Sequence, residues 1–445
     1  MHDHGLAAGQ DVRASIIYQN EAVDVILLDI PASIAEAQGT DFANTHRLLS
    51  STALERPFPG NEPKTAKARA NLETGSSTPI DCEYKTCIED GLREVRTKID
   101  GEWCLPRVLP CNQSSTSRKR KLEGHDHAVS DRLGRDDGIA SSERVTQLLR
   151  TISEPGTCAA KSALDVAWCD VMQDDPLLDD NGLTISNPTS KGKRLEVREK
   201  GKQANVFFIP ARSNTLIGNC TRSNTLYARV SADSERHEAR RAFDLIVMDP
   251  PWPNKSIRRG HEKGRAHYKV SDSLWDLRQL IFEMDVDVLL ADHGYIGVWV
   301  TNNTAVRNLV AGEDGYFDSW GDRLVEEWVW VKVTKSGEPV MPLSSVWRKP
   351  YEALLVGKKM SPPSLAGTPD THLNVPEIKR RLIAAVPDLH SRKPCLKHLF
   401  ETLMDRSSDY RALEIFARNL VSGWWSWGNE TIKFNHEGCW TTAVE

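Results

Sequence analysis

The chain has 445 residues, a length that predicts two or three domains, and its net charge of -5 excludes a uniformly basic surface for nucleic acid. No run approaches the roughly 18 apolar residues of a membrane-spanning helix, and the N-terminus lacks the basic-then-apolar layout of a secretory signal. The nine cysteines are scattered without zinc-ligand spacing, so we expect reduced thiols, no metal site and an intracellular protein.

Residues 1–140 form a polar region that we expect to be largely flexible. The apolar runs at 16–17 and 23–28 predict one or two strands. From about 38 to 100 the chain is polar and interrupted by prolines, so it should bury too little apolar area to offset the ordering entropy. The basic cluster from Arg118 to Lys121 is either a nuclear import signal or phosphate-binding arm, or an ordinary solvated charge run. The import signal would place the protein in the nucleus, and the cytoplasm is the alternative.

Residues 141–203 are predicted to form a helical accessory layer followed by a linker. Apolar residues recur at helical spacing in two runs, at 142–152 and 163–171, and a Pro-Gly pair separates them. From 174 onwards the sequence is polar again and contains a second basic patch. Nothing in this segment indicates chemistry.

Residues 204–445 alternate between strand-like and helical patterns, which predicts an α/β domain with a doubly wound, mostly parallel, Rossmann-like sheet. No GxGxxG motif follows any strand, which argues against a nicotinamide enzyme. The strand-like runs lie at 206–210, 215–220, 243–248, 286–290, 295–301, 324–333, 351–356, 413–416 and 426–434, and the helical patterns at 273–284, 304–311 and 395–405.

The run from Leu245 to Met248 predicts a strand buried on both faces, and it ends at Asp249-Pro250-Pro251-Trp252. Proline cannot donate to a sheet ladder, so the strand stops there, at the edge where open α/β sheets bind ligands. The stiff turn should aim the Asp249 carboxylate and the proline carbonyls at one spot, with Trp252 as a flat surface beside them. Such acceptors suit a planar ligand with an amino group, such as adenine.

This string resembles the DPPW-type adenine-N6 methyltransferases, the family that includes the messenger-RNA adenosine methylase. The resemblance covers about 205–436, and the cofactor half follows the DPPW strand in the permuted order typical of that family. It is closest to the methyltransferase-like protein 4 branch. The segments that carry it are Asp249–Ser256, Trp299–Asn302, Lys349–Glu352, Phe416–Asn419 and Trp427–Glu430.

The resemblance implies S-adenosylmethionine as cofactor and adenine in nucleic acid as substrate. RNA is the first choice, a small nuclear RNA adenosine or 2'-O-methyladenosine in particular, and DNA adenine is the second. A catalytically silent nucleic-acid-binding subunit is the opposing hypothesis. No membrane association or obligate partner is implied, and we expect a monomer.

The resemblance also implies a set of cofactor-binding residues. Lys393 is a cation suited to the methionine carboxylate, and Asn429 and Glu430 can bind ribose hydroxyls. The remaining residues of the set are Asn219 and Cys220 beside the cofactor adenine, Phe416, Arg418 and Asn419 around the ribose or methionine part, and the catalytic Asp249 itself.

The loop that follows the DPPW turn is basic, and it could track a phosphate backbone. An ordinary solvent-exposed loop is the alternative interpretation. The predicted substrate-binding residues are Asn254, Lys255, Arg258, Arg259, Arg265 and Tyr268 in this loop, and Asn302 beyond it.

Overall fold

The computed structural model describes residues 14–58, 78–110, 142–154, 161–170, 172, 174–253, 273–345, 348–360, 377–389, 392–406 and 409–443. Its strands are β1 Ile16–Gln19, β2 Val25–Leu28, β3 His46–Leu48, β4 Leu164–Trp168, β5 Leu177–Asp179, β6 Gly182–Asn187, β7 Lys193–Glu199, β8 Asn205–Ile209, β9 Ser213–Ile217, β10 Phe243–Met248, β11 Leu290–Val300, β12 Asp322–Lys332, β13 Tyr351–Lys359, β14 Lys379–Ala385, β15 Ala412–Ile415, β16 Trp425–Gly428 and β17 Trp440–Thr442. Its helices are α1 Ile30–Ala37, α2 Thr40–Thr45, α3 Pro79–Lys98, α4 Ser142–Ser153, α5 Ser223–His237, α6 Leu274–Glu283, α7 Val286–Leu289, α8 Thr304–Ala311, α9 Tyr316–Trp320 and α10 Lys397–Met404, with short 3-10 turns at Lys433–Asn435 and Glu437–Cys439.

One large sheet organises the molecule, in the order β1-β2-β14-β12-β13-β11-β10-β15-β16-β9-β6-β5. Strands β9, β16, β15, β10 and β11 run parallel to one another, while β13, β6 and β1 run against their neighbours. Strand β10 is buried along its whole length: Ile246 and Met248 pack into the core on one face, and Leu245 and Val247 into the core on the other. The predicted α/β class is confirmed.

Most predicted elements of the α/β segment are present at their expected places. Helices α6, α8 and α10 match the predicted ones closely. Two details differ. The run at 286–290 is the short helix α7 rather than a strand, and the last predicted strand, 426–434, ends at Gly428 and continues into a 3-10 turn.

The N-terminal region is part of this sheet, so the prediction of a largely flexible region is wrong for 14–58 and 78–110. Strand β2 is fully buried and pairs in parallel with β14, and β3 pairs with β17 near the end of the chain. Helix α3 starts at a capping box between Thr78 and Asp81 and buries an apolar stripe against the sheet. The apolar residues of that stripe recur at helical spacing, but charged residues lie between them, so the helix was not predicted. The Arg118–Lys121 cluster lies outside the described residues.

The predicted helical accessory layer is correct only for α4. Residues 164–168 form β4 instead of a helix, because Leu164, Val166 and Trp168 alternate with exposed residues at the two-residue period of a strand. The expected linker after residue 174 contains β5, β6 and β7. Strand β6 hydrogen-bonds to β9, so the predicted boundary at 203/204 does not divide the structure.

Two further features concern the whole described part of the chain. None of its helices is both long and apolar enough to span a bilayer. Its seven cysteines carry no disulfide bond.

Candidate active site

The Asp249–Trp252 turn projects from the carboxyl end of β10 and is fixed at three points. The Asp249 N–H donates to the Ile415 carbonyl on β15 (3.4 Å), and the Trp252 N–H donates to the Pro250 carbonyl (2.8 Å). The Trp252 indole N–H donates to the Trp299 carbonyl on β11 (2.7 Å). Trp252 is only 7% exposed, so its ring locks the turn into the core and offers no flat surface to a ligand, contrary to our expectation.

Parallel strands bring the predicted site residues to one edge of the sheet. Asn219, Asp249, Phe416 and Asn429 each follow the carboxyl end of one of the adjacent strands β9, β10, β15 and β16. The chain leaves β10 towards β11 on one side and β15 towards β16 on the other, so the strand order reverses between β10 and β15. Ligands bind at such a reversal.

A cleft opens at this point. Six of its lining residues carry the argument below: Asp249, Lys393, Glu414, Phe416, Arg418 and Asn419.

Lys393 lies at the centre of a chain of alternating charges. Its ammonium is 3.3 Å from Asp249 Oδ1 and 2.5 Å from Glu352 Oε2, and Glu352 Oε1 is 2.5 Å from the Lys332 ammonium. Trp299 and Trp330 add their ring faces, with centroids 4.7 and 5.9 Å from the Lys393 nitrogen. The cleft thus holds a fixed cation directly beside the Asp249 carboxylate.

The charges in this chain stabilise one another in their ionised forms. Burial by itself would lower the pKa of Lys393, but Asp249 and Glu352 outweigh it, and the pKa is raised. Burial would likewise raise the pKa of Glu352, but Lys332 and Lys393 hold it well below its usual range. Sequence reasoning assigned Lys393 to a methionine carboxylate and missed Glu352, although the Lys-Pro-Tyr-Glu motif that contains it was noted.

Two residues near the cofactor half have features typical of a binding site. Phe416, buried directly after β15, adopts a left-handed backbone conformation (φ 62°) that a bulky residue rarely takes. It packs so closely on Gly428 that a Cβ there would lie 3.2 Å from the Phe416 Cα. The Asn429 Oδ1 is buried without a hydrogen-bond partner in the structure. A buried acceptor of this kind is costly unless a ligand donates to it.

The neighbouring charges form a second ion network. Glu430 pairs with Arg418 (3.2 Å) and with Lys433 (3.4 Å). The orphaned Asn429 oxygen, the Glu430 carboxylate and the Lys393 cation together fit a ligand with hydroxyl donors and a carboxylate, as S-adenosylmethionine has.

Asn219, Cys220, Asn429 and Glu430 are not among the cleft-lining residues. The Asn219 Oδ1 accepts from the Thr221 N–H (3.0 Å) in a local turn. The Cys220 side chain is 4% exposed and belongs to the core, where burial raises the pKa of its thiol.

Glu414 is a lining residue that the sequence did not reveal. It is the third residue of β15, in register with Val247 on one side and Ser426 on the other. Burial, with a smaller contribution from Asp249, raises the pKa of its carboxyl to about 8, so it is protonated at neutral pH. The Ser426 hydroxyl beside it is buried without a partner.

The predicted substrate residues are only partly within the structure. Asn302 donates through Nδ2 to the Tyr351 carbonyl (2.5 Å), which joins the ends of β11 and β13. Asn254, Lys255, Arg258, Arg259, Arg265 and Tyr268 lie outside the described residues. Within the described ranges, no group of three or more His, Cys, Asp or Glu side chains could hold a metal ion.

Comparison with known proteins identifies relatives of this site. Residues 243–430 match the MT-A70 family. The chain is 29% identical to the N6-methyladenosine RNA methyltransferase MTA1 of Cryphonectria parasitica, over 99% of this chain and 98% of that protein. It is 37% identical to the mouse N(6)-adenine-specific methyltransferase METTL4, over 58% of this chain and 49% of that protein. A Caenorhabditis elegans DNA N6-methyl methyltransferase is 28% identical over 54% of this chain and 56% of that protein.

Proposed function

Since residues 243–430 form an MT-A70 family domain, we propose that this chain is an S-adenosylmethionine-dependent methyltransferase acting on the N6 amine of adenine in nucleic acid. One observation carries the proposal: the Asp249 carboxylate stands at the strand-order reversal, held beside Lys393 and next to the Pro250 carbonyl. The relatives named as RNA and DNA N6-adenine methyltransferases support the same reaction.

The turn supplies two acceptors for the two N–H groups of the amine. Asp249 is the first. The Pro250 carbonyl is the second: it accepts from the Trp252 N–H, and a carbonyl oxygen has a second lone pair. Adenine N6 is a poor nucleophile because its lone pair is delocalised into the ring. Hydrogen bonds to both N–H groups turn the nitrogen towards a tetrahedral geometry in which that lone pair can attack.

The residues of the cofactor half fit S-adenosylmethionine, which supplies an electrophilic methyl group when bound. Lys393 would hold its carboxylate, and Asn429 and Glu430 its ribose hydroxyls. Phe416, Arg418 and Asn419 line the cleft together with Lys393. Lys393 has a second role as the counter-ion of Asp249, so that carboxylate is held in position before substrate arrives.

We favour RNA as the substrate, and within RNA a small nuclear RNA adenosine or 2'-O-methyladenosine. Support comes from the motif resemblance to the methyltransferase-like protein 4 branch and from the fungal relatives named as RNA methyltransferases. The target base has to be single-stranded or flipped out, because its amine is otherwise out of reach. DNA adenine is the second candidate, because the Caenorhabditis elegans relative is named for DNA.

A catalytically silent subunit is disfavoured by the site itself. A silent subunit has no need for an aimed acceptor, whereas this chain keeps Asp249, its lysine counter-ion and an orphaned acceptor in the cofactor half.

The decisive experiment incubates the purified full chain with methyl-labelled S-adenosylmethionine and separate pools of RNA and DNA, with and without 2'-O-methyladenosine. Label on adenine N6 in the RNA pool is the expected result, and label in the DNA pool alone would favour the second candidate. The Asp249→Ala variant is the control for contaminating activity. Cofactor binding by calorimetry with no methylation of any pool would support the silent-subunit hypothesis instead.

A further inference from the structure

The segment between β14 and α10 carries Lys393 to the catalytic cleft, and it is held mainly by residues from the distant N-terminal region. Arg107 donates from Nη2 to the Val386 carbonyl (2.8 Å) and from Nη1 to the Pro387 carbonyl (2.9 Å). The Ser51 N–H donates to Asp388 Oδ1 (2.7 Å). Each of these contacts spans more than 270 residues of sequence.

Arg392, the residue directly before Lys393, is anchored in the same way. Its Nη1 donates to the Leu49 carbonyl (2.6 Å) and to Asp388 Oδ2 (2.8 Å), and its guanidinium lies over the Phe434 ring at 4.6 Å. Two residues beyond Lys393, the Cys395 N–H donates to the Ser33 hydroxyl on α1 (3.1 Å). Lys393 is therefore fixed from both sides by partners outside the MT-A70 domain.

The charged side chains of these anchoring contacts are buried too deeply for water to take the place of a lost partner. The side chains of Asp388 and Arg392 are 0% exposed, and that of Arg107 is 4% exposed. Removing one partner from a buried ion pair is strongly destabilising, because the other charge stays behind uncompensated. The segment cannot shift without breaking this cluster, and Lys393 cannot leave Asp249 and Glu352 while the segment stays.

We propose that the Asp388–Arg392–Arg107 cluster, seated on the backbone of Leu49 and Ser51, is a positioning device for Lys393. It holds the ammonium at Asp249, and so makes the N-terminal region part of the active site. The inference rests on the proposed function for its catalytic consequence, but not for its structural one.

The structural consequence can be measured without any assay of activity. Acetic anhydride labels only the uncharged form of a lysine, so a well-paired ammonium is acetylated slowly. The rate of acetylation of Lys393, measured by peptide mass spectrometry, therefore reports how well its charge is paired. Asp388→Asn and Arg107→Met should each raise this rate about tenfold, the change that one unit of lysine pKa produces. The full chain is used throughout.

A matched control separates positioning from general loss of stability. Glu326 and Arg381 form another buried ion pair in the same sheet, with Arg381 Nε 2.5 Å from Glu326 Oε2 and side chains 5% and 8% exposed. Glu326→Gln should lower the melting temperature about as much as Asp388→Asn and leave Lys393 labelling unchanged. Equal labelling of Lys393 in the two variants would overturn the proposal.

A double-mutant cycle tests the catalytic consequence. If Asp388 acts through Lys393, then Asp388→Asn should lower kcat in the wild-type background and have no further effect in a Lys393→Met background. Additive losses would show that Asp388 does not act through Lys393. A wild-type chain that methylates no nucleic acid would instead refute the proposed function and leave the labelling result to decide the positioning role.

Discussion

Substitutions of Asp249 distinguish a hydrogen-bond acceptor from a proton acceptor. The adenine amine need not lose its proton before attack, because the methylated nitrogen becomes strongly acidic and releases the proton afterwards. We therefore expect Asp249 to work as a charged acceptor aimed at the amine.

The structure sets the size of the expected effects. Asp249→Asn keeps an acceptor oxygen in place, and Lys393 stays fixed because Glu352 remains 2.5 Å from its ammonium. What is lost is the negative charge that stabilises positive charge developing on the nitrogen. Losing one preorganised group of this kind costs roughly a hundred- to a thousandfold in rate. Asp249→Ala removes the acceptor as well, so its rate should fall to background.

Single-turnover methylation at saturating cofactor measures both variants without interference from product release. Calorimetry with S-adenosylmethionine is the control, because a variant that no longer binds cofactor says nothing about chemistry. A small residual rate for Asp249→Asn and none for Asp249→Ala would support the acceptor role. Equal, background-level rates in both variants, with cofactor still bound, would refute it and make proton acceptance or the full charge indispensable.

Three further predictions follow from other features. Neutralising Arg258, Arg259 and Arg265 together should weaken nucleic-acid binding and reduce its salt dependence by up to about one unit per lost phosphate contact; an unchanged salt slope in a titration would mean an ordinary loop. In the folded protein Glu414 stays protonated up to about pH 8, whereas in the unfolded chain it ionises above about pH 4.5, so the free energy of unfolding falls as pH rises through that window. Glu414→Gln should flatten the dependence of melting temperature on pH, and an equally steep dependence would count against this assignment. Trp275 is 61% exposed at the start of α6, the first described helix after the Asp249–Trp252 turn. We expect it to stack on a base of the RNA, so Trp275→Ala should weaken RNA binding by about 1–3 kcal/mol in fluorescence anisotropy, and unaltered affinity would exclude stacking.

The catalytic strand and its turn could be predicted because their evidence is local. An apolar run that ends in Asp249-Pro250-Pro251-Trp252 specifies a buried strand and its end within ten residues, and the family resemblance built on it is confirmed by the MT-A70 match. Most other strands of the α/β segment were predicted from their own apolar patterns, but β14 was not. The buried indole of Trp252 was not, because its bond to the Trp299 carbonyl depends on how β10 and β11 pair.

The site around Lys393 depends on contacts that no local pattern encodes. Glu352 and Lys332 meet because β13 and β12 pair in a particular register, and a shift by one residue would turn them to opposite faces. The Leu49 carbonyl that binds Arg392 lies more than 300 residues away in sequence. Leu49 offers only its backbone carbonyl, so its residue type gave no indication of this role, and Ser51 adds its hydroxyl to its backbone N–H.

The permuted strand order has a consequence for how the chain is made. Strands β15 and β16 lie between β9 and β10, yet they are synthesised last of the four. At translation rates of 5–20 residues per second, roughly 10 to 40 seconds separate the emergence of β10 from that of β16. Throughout that interval β9 and β10 each present an unpaired edge towards the gap, and open edges of this kind recruit other strands. Completion of the sheet therefore waits for the last hundred residues, and a nascent chain has to be kept from aggregating until they arrive.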